Sequence, residues 1–195
     1  MRKFQETQER HPSAVLAVNL GAGFTVTLME PRIVDFDSGL DVATIAFDDL
    51  DHQPSLHDKA YFHAITWPIP RVQPGNLVAM VGVPGERRRV TPDGGSFGPV
   101  GAGFVVSSAS DQTVVLSDES GTMVMVGPGG AVARTVRLGG FSGARVFLVH
   151  PSGPQIVGVL RAGSGEMGEG AGNTVLLTPT YFLNADGTFD RHVIP

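Results

Sequence analysis

The stretch "GGFSGARVFLVHPSGPQIVGVLRAG" (residues 139–163) decides the fold. It contains two apolar runs separated by Pro-Ser-Gly-Pro, and this spacing predicts a β-hairpin because proline and glycine favour the dihedral angles of a tight turn. Ser142 stands between Phe141 and Gly143, directly before the first run. The stretch therefore predicts a serine in a bend at the entrance to an antiparallel hairpin.

The rest of the chain repeats this pattern of short apolar runs and turn residues. Among its 195 residues are 26 glycines and 14 prolines, a composition typical of many short strands joined by tight turns. Strand-like runs occupy residues 14–20, 24–36, 40–47 and 76–85, and others follow at short intervals after residue 97. The last run, 173–183, is expected to hold a final strand and a short terminal helix. The pattern predicts an all-β sandwich or barrel.

Charge and composition exclude several classes of function. The net charge is −5, and the one compact basic run, Arg87–Arg89 beside a Pro-Gly pair, is interpreted as a solvated turn, so we expect no nucleic-acid partner. No run approaches the roughly 20 apolar residues of a membrane span, so no membrane partner is expected. As written, the N-terminus carries no signal peptide, which predicts a cytoplasmic protein, or an exported one if the true start lies upstream.

Residues 48–73 differ from the strand-like runs and are interpreted as a long connector. They are acidic, then carry three histidines, then end in an aromatic segment with two prolines. The histidines and nearby aspartates do not have the spacing of a metal site, so we expect a solvated linker and no metal or other cofactor. The chain has no cysteine, which excludes disulfides and thiolate chemistry.

Ser142 is either a nucleophile or a small residue in a turn. A serine hydroxyl attacks a carbonyl carbon only if a base takes its proton and N–H groups stabilise the oxyanion. Gly140 permits the sharp bend that would direct backbone N–H groups toward such an oxyanion. The Gly-x-Ser-x-Gly elbow of α/β-hydrolases is excluded, because residue 144 is alanine and a hairpin follows instead of a helix.

Three motifs in order resemble the trypsin-like (chymotrypsin-fold) serine peptidases, particularly the bacterial members without disulfides. They are "LDVATIAF" with Asp41, "PGNLVAMVGVPG" at 74–85, and "GFSGARVF" followed by "IVGVL". The resemblance covers roughly residues 14–183. It implies Ser142 as nucleophile, Asp41 as the residue that orients the base, and the N–H groups of Gly140 and Ser142 as the oxyanion hole. It also implies that Leu160, Arg161 and Ala162 bind substrate.

The chain departs from this family at two points. Ala144 and Arg145 replace the usual Gly-Pro after the serine, and Arg145 is expected to affect strand entry more than chemistry. The usual Thr-Ala-x-His motif is absent, and His11 is the one histidine before Asp41. His11 is followed by proline and preceded by polar residues, so it is interpreted either as the base or as an exposed histidine of the leader.

The resemblance implies two antiparallel β-barrel lobes, of which the first is incomplete. The expected boundaries are residues 1–60 for the partial N-terminal lobe with its polar leader, 61–75 for the connector and 76–195 for the C-terminal lobe. The implied function is a serine endopeptidase acting on peptides or proteins, with a preference for small or apolar side chains. The alternatives are a non-catalytic binding or scaffolding domain with the same fold, and an unrelated β-sandwich.

Overall fold

The computed structural model describes residues 9–10, 16–21, 24–28, 32–46, 66–85, 88–91, 94–117, 125–126, 132–133, 135–137, 141–164, 166–168 and 174–194. These residues contain sixteen strands. The strands are β1 (Leu16–Gly21), β2 (Phe24–Leu28), β3 (Arg32–Asp37), β4 (Val42–Ala46), β5 (Leu77–Gly82), β6 (Arg88–Thr91), β7 (Gly94–Phe97), β8 (Val100–Ala109), β9 (Val114–Ser117), β10 (Met125–Val126), β11 (Val132–Ala133), β12 (Thr135–Arg137), β13 (Arg145–Leu148), β14 (Gln155–Ser164), β15 (Glu166–Gly168) and β16 (Thr174–Pro179). The prediction of an all-β fold is confirmed.

Six antiparallel strands close into a barrel. Around the ring the order is β5-β8-β9-β16-β14-β13, and β13 pairs with β5 to close it. β5, β8 and β9 are consecutive neighbours, and β13 returns to lie beside β5, so these four strands form a Greek key. Closure leaves these six strands without the long unpaired edge that an open sheet presents.

The alternating sequence pattern builds the interior of this barrel. Along β8, Val100, Ala102, Phe104 and Val106 are buried, and the residues between them are more exposed. The other barrel strands contribute an equivalent inward row, which includes Val78, Met80, Leu116, Val146, Val157, Leu160, Val175 and Leu177. The period of two thus places one apolar face of every strand in a common core.

The chain divides into two compact units. The first comprises Met1–His63 with Asp186–Phe189, and the second comprises Ala64–Ala185 with Asp190–Pro195 and contains the barrel. In the first unit, β1 pairs with β2 and β3 pairs with β4. The later segment joins it through the Thr44 hydroxyl, which donates to the Gly187 carbonyl at 2.7 Å, and through the Asp35 carboxylate, which accepts from the Phe189 N–H at 2.9 Å. The two-lobed arrangement and the boundaries at residues 60 and 75 remain predictions.

Two local expectations differ from the structure. Arg88 and Arg89 lie in β6, which pairs with β7, so this part of the basic run is a hairpin strand and not a turn. Residues 180–194 form turns and isolated bridges where a short helix was expected. In this segment the Leu183 N–H donates to the Thr180 carbonyl in a single turn, and the Phe182 carbonyl accepts from the Asp190 N–H at 2.7 Å, so no helical ladder of hydrogen bonds continues.

The described helices include none that is both long and apolar enough to cross a membrane.

A cavity of about 240 Å³ lies at the end of the barrel where β8 and β16 finish and β9 begins. At its rim the Arg71 guanidinium stacks on the Tyr181 ring, 4.2 Å from the centroid, and pairs with the Asp111 carboxylate at 2.6 Å. The Tyr181 hydroxyl donates to the Asp111 carbonyl. Partial burial and the negative charge of Asp111 raise the pKa of Tyr181 above its usual 10.0.

This raised pKa predicts a decrease in stability at high pH. The folded state favours the protonated phenol, so its contribution is complete below pH 10 and is lost as the pH rises through the folded pKa. Tyr181 and Tyr61 are the two tyrosines of the chain, so a Tyr61→Phe background isolates Tyr181 in an ultraviolet titration. Asp111→Asn should move the titration toward lower pH, and an unchanged or higher midpoint would contradict this account.

Candidate active site

Ser142 lies in a turn that enters the barrel. The Phe141 carbonyl accepts from the Ala144 N–H at 2.7 Å, and Gly143 has φ +86°, so residues 141–144 form a type II turn with Ser142 at its second position. Glycine suits the third position because a side chain is strained at this positive φ. Ser142 is exposed, as a nucleophile must be.

The buried ring of Phe141 anchors this turn. Phe141 is 1% exposed, and it belongs to the barrel core although its neighbour Ser142 is exposed. The ring reaches the backbone of Gly82 at the end of β5, where an added Cβ would lie 2.6 Å from the Phe141 ring and 2.7 Å from the Ala144 Cβ. Gly82 thus provides the space that lets Phe141 enter the core.

β14 holds the other side of the turn. The Gly143 N–H donates to the Leu160 carbonyl at 2.9 Å, and the Leu160 N–H donates to the Ala144 carbonyl at 2.8 Å. Leu160 itself is 2% exposed. Of the three predicted substrate-binding residues, Leu160 therefore lies beside the Ser142 turn, but its side chain is buried and its N–H and carbonyl both bond to the turn.

Arg161 and Ala162 continue from Leu160 along β14. Arg161 is half-buried and Ala162 is exposed. The ladder between β14 and β16 shifts register between Leu160 and Ala162, which indicates a β-bulge at Arg161. Bulges redirect side chains and are common beside active sites. Both residues can therefore face a ligand bound near the Ser142 turn.

The pairing of Ser142 with the other predicted catalytic groups stays a prediction. Asp41 belongs to the first unit and Ser142 to the second. Asp41 was expected at the start of a strand, but it is an exposed turn residue with φ +54°, directly before β4. Asp37 shapes this turn, since its Oδ1 accepts from the Gly39 and Leu40 N–H groups at 2.9 Å. Gly140 and His11 lie outside the described residues.

No histidine pairs with Ser142 in the part of the chain that the structure describes. His150 follows β13, whereas Ser142 precedes it, so the strand separates them; the His150 Nδ1 lies 2.7 Å from the Ser152 hydroxyl instead. The backbone N–H of His192 donates to the Asp190 carboxylate at 3.0 Å. Among the described residues there is also no group of three or more metal-ligating side chains, and the histidines at 52, 57 and 63 lie outside them.

Sequence reasoning missed two contributors to this site. Gly82 was interpreted only as part of a strand-and-turn motif, and a glycine that accommodates a distant ring carries no local signal. Arg145 was interpreted as an influence on strand entry. In the structure it is exposed and opposite Val159 on β14, beside the Ser142 turn.

Comparison with known proteins finds no matching family model, no matching curated protein and no matching solved structure.

The close contact of Gly82 with Phe141 and Ala144 predicts that a single methyl group added at Gly82 lowers stability strongly. Gly82→Ala should lower the free energy of unfolding by about 2–3 kcal/mol, because the Phe141 ring and Ala144 would have to move. The measurement is urea denaturation followed by the fluorescence of Trp67, the single tryptophan, which lies in the barrel unit. Gly103→Ala is the matched control, since its nearest atom would be 4.0 Å away. Equal effects of the two substitutions would show that the contact between Gly82 and Phe141 is not what makes Gly82 necessary.

Gly143 should be sensitive to backbone strain alone. An added Cβ at Gly143 would meet nothing within 4 Å, but the positive φ makes Gly143→Ala unfavourable by about 1–2 kcal/mol. Asparagine tolerates this conformation better than alanine. Gly143→Asn should therefore destabilise less in the same urea assay, and the opposite order would exclude the type II turn.

Proposed function

We propose that the barrel carries a serine peptidase centre of the trypsin-like type, with Ser142 as the nucleophile. The observation that supports this proposal is the position of Ser142, an exposed hydroxyl on a turn whose two ends are tied to the core by Phe141 and to β14 by Gly143. A nucleophile on a fixed turn loses little further freedom when a substrate binds, which lowers the entropic part of the barrier.

The proposed reaction follows from the groups around the turn. The Ser142 hydroxyl oxygen attacks the carbonyl carbon of a peptide bond, and its proton passes to a base. The negative oxygen of the tetrahedral intermediate is stabilised by the N–H of Ser142 and, by the resemblance, of Gly140. The C–N bond then breaks, the amine leaves with the proton, and water hydrolyses the acyl-serine ester.

The base in this proposal is His11, oriented by Asp41. The assignment of Asp41 comes from the resemblance to trypsin-like peptidases, whereas His11 is chosen because it is the one histidine before Asp41 in the sequence. A base is essential because the hydroxyl of a serine is a weak nucleophile at neutral pH.

A peptide substrate suits the strand edge beside the turn. The ladder between β13 and β14 ends at Arg145 and Val159, and the Leu160 hydrogen bonds to the turn extend it by one residue. Beyond Leu160, no strand pairs with this edge of β14 among the described residues. An extended peptide can add to such an edge through main-chain hydrogen bonds, and its carbonyls would then lie next to Ser142.

A second candidate is a peptide-binding barrel without catalysis. The observation that favours it is that no described histidine hydrogen-bonds to Ser142. The same β14 edge would then bind a peptide, and Ser142 would serve only as the exposed residue of the turn. The two candidates differ in the reactivity of the Ser142 hydroxyl.

A fluorophosphonate probe separates the two candidates. The peptidase proposal predicts covalent labelling of the folded protein that is lost in Ser142→Ala, because the probe reacts with activated serines. Ser152→Ala is the matched control, since Ser152 is also an exposed turn serine and lies next to His150. His11→Gln should reduce labelling by orders of magnitude if His11 is the base.

Two outcomes would contradict the peptidase proposal. Absence of labelling in the folded protein would favour the binding barrel. Labelling that persists in Ser142→Ala but disappears in Ser152→Ala would move the reactive serine to the opposite end of β13.

A further inference from the structure

Two arginines flank the Ser142 turn on the outer face of the barrel. Arg145 is the first residue of β13, is exposed, and lies directly opposite Val159 on β14. Arg161 comes two residues after Val159 in the same strand. Diagonal neighbours on one face of an antiparallel pair have Cβ atoms roughly 7–8 Å apart, which is within reach of long side chains. Arg145 directly follows Ala144 and Arg161 directly follows Leu160, and the Leu160 N–H donates to the Ala144 carbonyl, so both arginines lie beside the backbone that holds the Ser142 turn.

The β-bulge explains why Arg161 belongs to this outer face. Leu160 is buried opposite the buried Leu177, whereas Ala162 is exposed opposite the half-buried Leu176. Arg161 is the extra residue between these two pairs. Its side chain is half-buried, and a bulge can turn the side chain of its extra residue out of the regular alternation, toward the surface beside Ala162.

Neither arginine has an acidic partner within the described residues. Arg71, at the opposite end of the barrel, provides the contrast, since it pairs with Asp111 at 2.6 Å. The whole chain carries a net charge of −5, so two arginines with no described acidic partner beside one turn differ in sign from its average charge. An unpaired guanidinium is a strong donor for a carboxylate, because the hydrogen bonds between them are charge-assisted and often bidentate.

We propose that the Ser142 site binds extended peptide segments with acidic side chains, whose carboxylates pair with Arg145 and Arg161. This inference rests on the proposed function, because it takes the free edge of β14 as the place where the peptide backbone lies. Side chains of an extended peptide alternate between two faces, so every second residue can reach the arginines. The intervening residues remain available for the small or apolar preference expected from the sequence.

Binding of defined peptides tests this proposal. The protein is the full chain carrying Ser142→Ala, so that no peptide is cleaved. The probes are fluorescein-labelled octapeptides of alternating glutamate and alanine, and the same peptides with glutamine at each glutamate position. Fluorescence anisotropy should show about tenfold tighter binding of the glutamate peptide, equivalent to about 1.4 kcal/mol. Raising the salt concentration should reduce the difference, because these charges are partly exposed to solvent.

Charge-neutral variants locate the effect. Arg145→Gln with Arg161→Gln should abolish the preference for glutamate, and each single change should reduce it. Arg71→Gln is the matched control, because it removes the same charge at the far end of the barrel, and it should keep the preference. Equal binding of the two peptides, absence of binding, or a preference that survives the double substitution would overturn the proposal.

The fluorophosphonate experiment separates failure of this inference from failure of the proposed function. Labelling at Ser142 without a glutamate preference would retain the peptidase proposal and reject the acidic substrate class. A glutamate preference without labelling would retain the acidic ligand and assign it to the binding barrel.

Discussion

The burial of Phe141 against Gly82 is the constraint on which the candidate site depends. Phe141 is almost completely buried and the next residue, Ser142, is exposed, so the backbone passes from the core to the surface between them. The 2.7 Å hydrogen bond from the Ala144 N–H to the Phe141 carbonyl then closes the turn. Large-to-small changes of a buried phenylalanine typically cost about 3–5 kcal/mol, so the same contact that positions Ser142 also stabilises the barrel.

β14 connects the buried Phe141 contact to the surface where a ligand would bind. Its inward residues complete the core, its backbone at Leu160 holds the Ser142 turn, and its bulge redirects Arg161. A single strand can do all three because side chains and backbone groups of a strand act on different neighbours. A change in the packing of β14 would therefore alter the Ser142 turn, the edge of β14 and the position of Arg161 together.

The peptidase proposal depends on a proton acceptor as much as on the serine. Asp41 lies in the first unit, at a turn built by the Asp37 carboxylate, and its φ of +54° is one that aspartate tolerates better than most residues. Ser142 lies in the second unit. The reactivity of Ser142 is the property that distinguishes the proposed peptidase from a binding barrel.

The sequence by itself determined the class of fold and most of its elements. Period-two apolar runs and turn residues predicted β5, β8, β9, β13, β14 and β16, because burial of one strand face and the dihedral angles of Gly and Pro are local properties. The serine in a bend before a hairpin was predicted on the same grounds. Only the tertiary structure decided that Phe141 fills the space above Gly82, that the barrel closes between β5 and β13, and that a β-bulge falls at Arg161. These depend on strand register and on contacts between residues far apart in the chain, which no local pattern encodes.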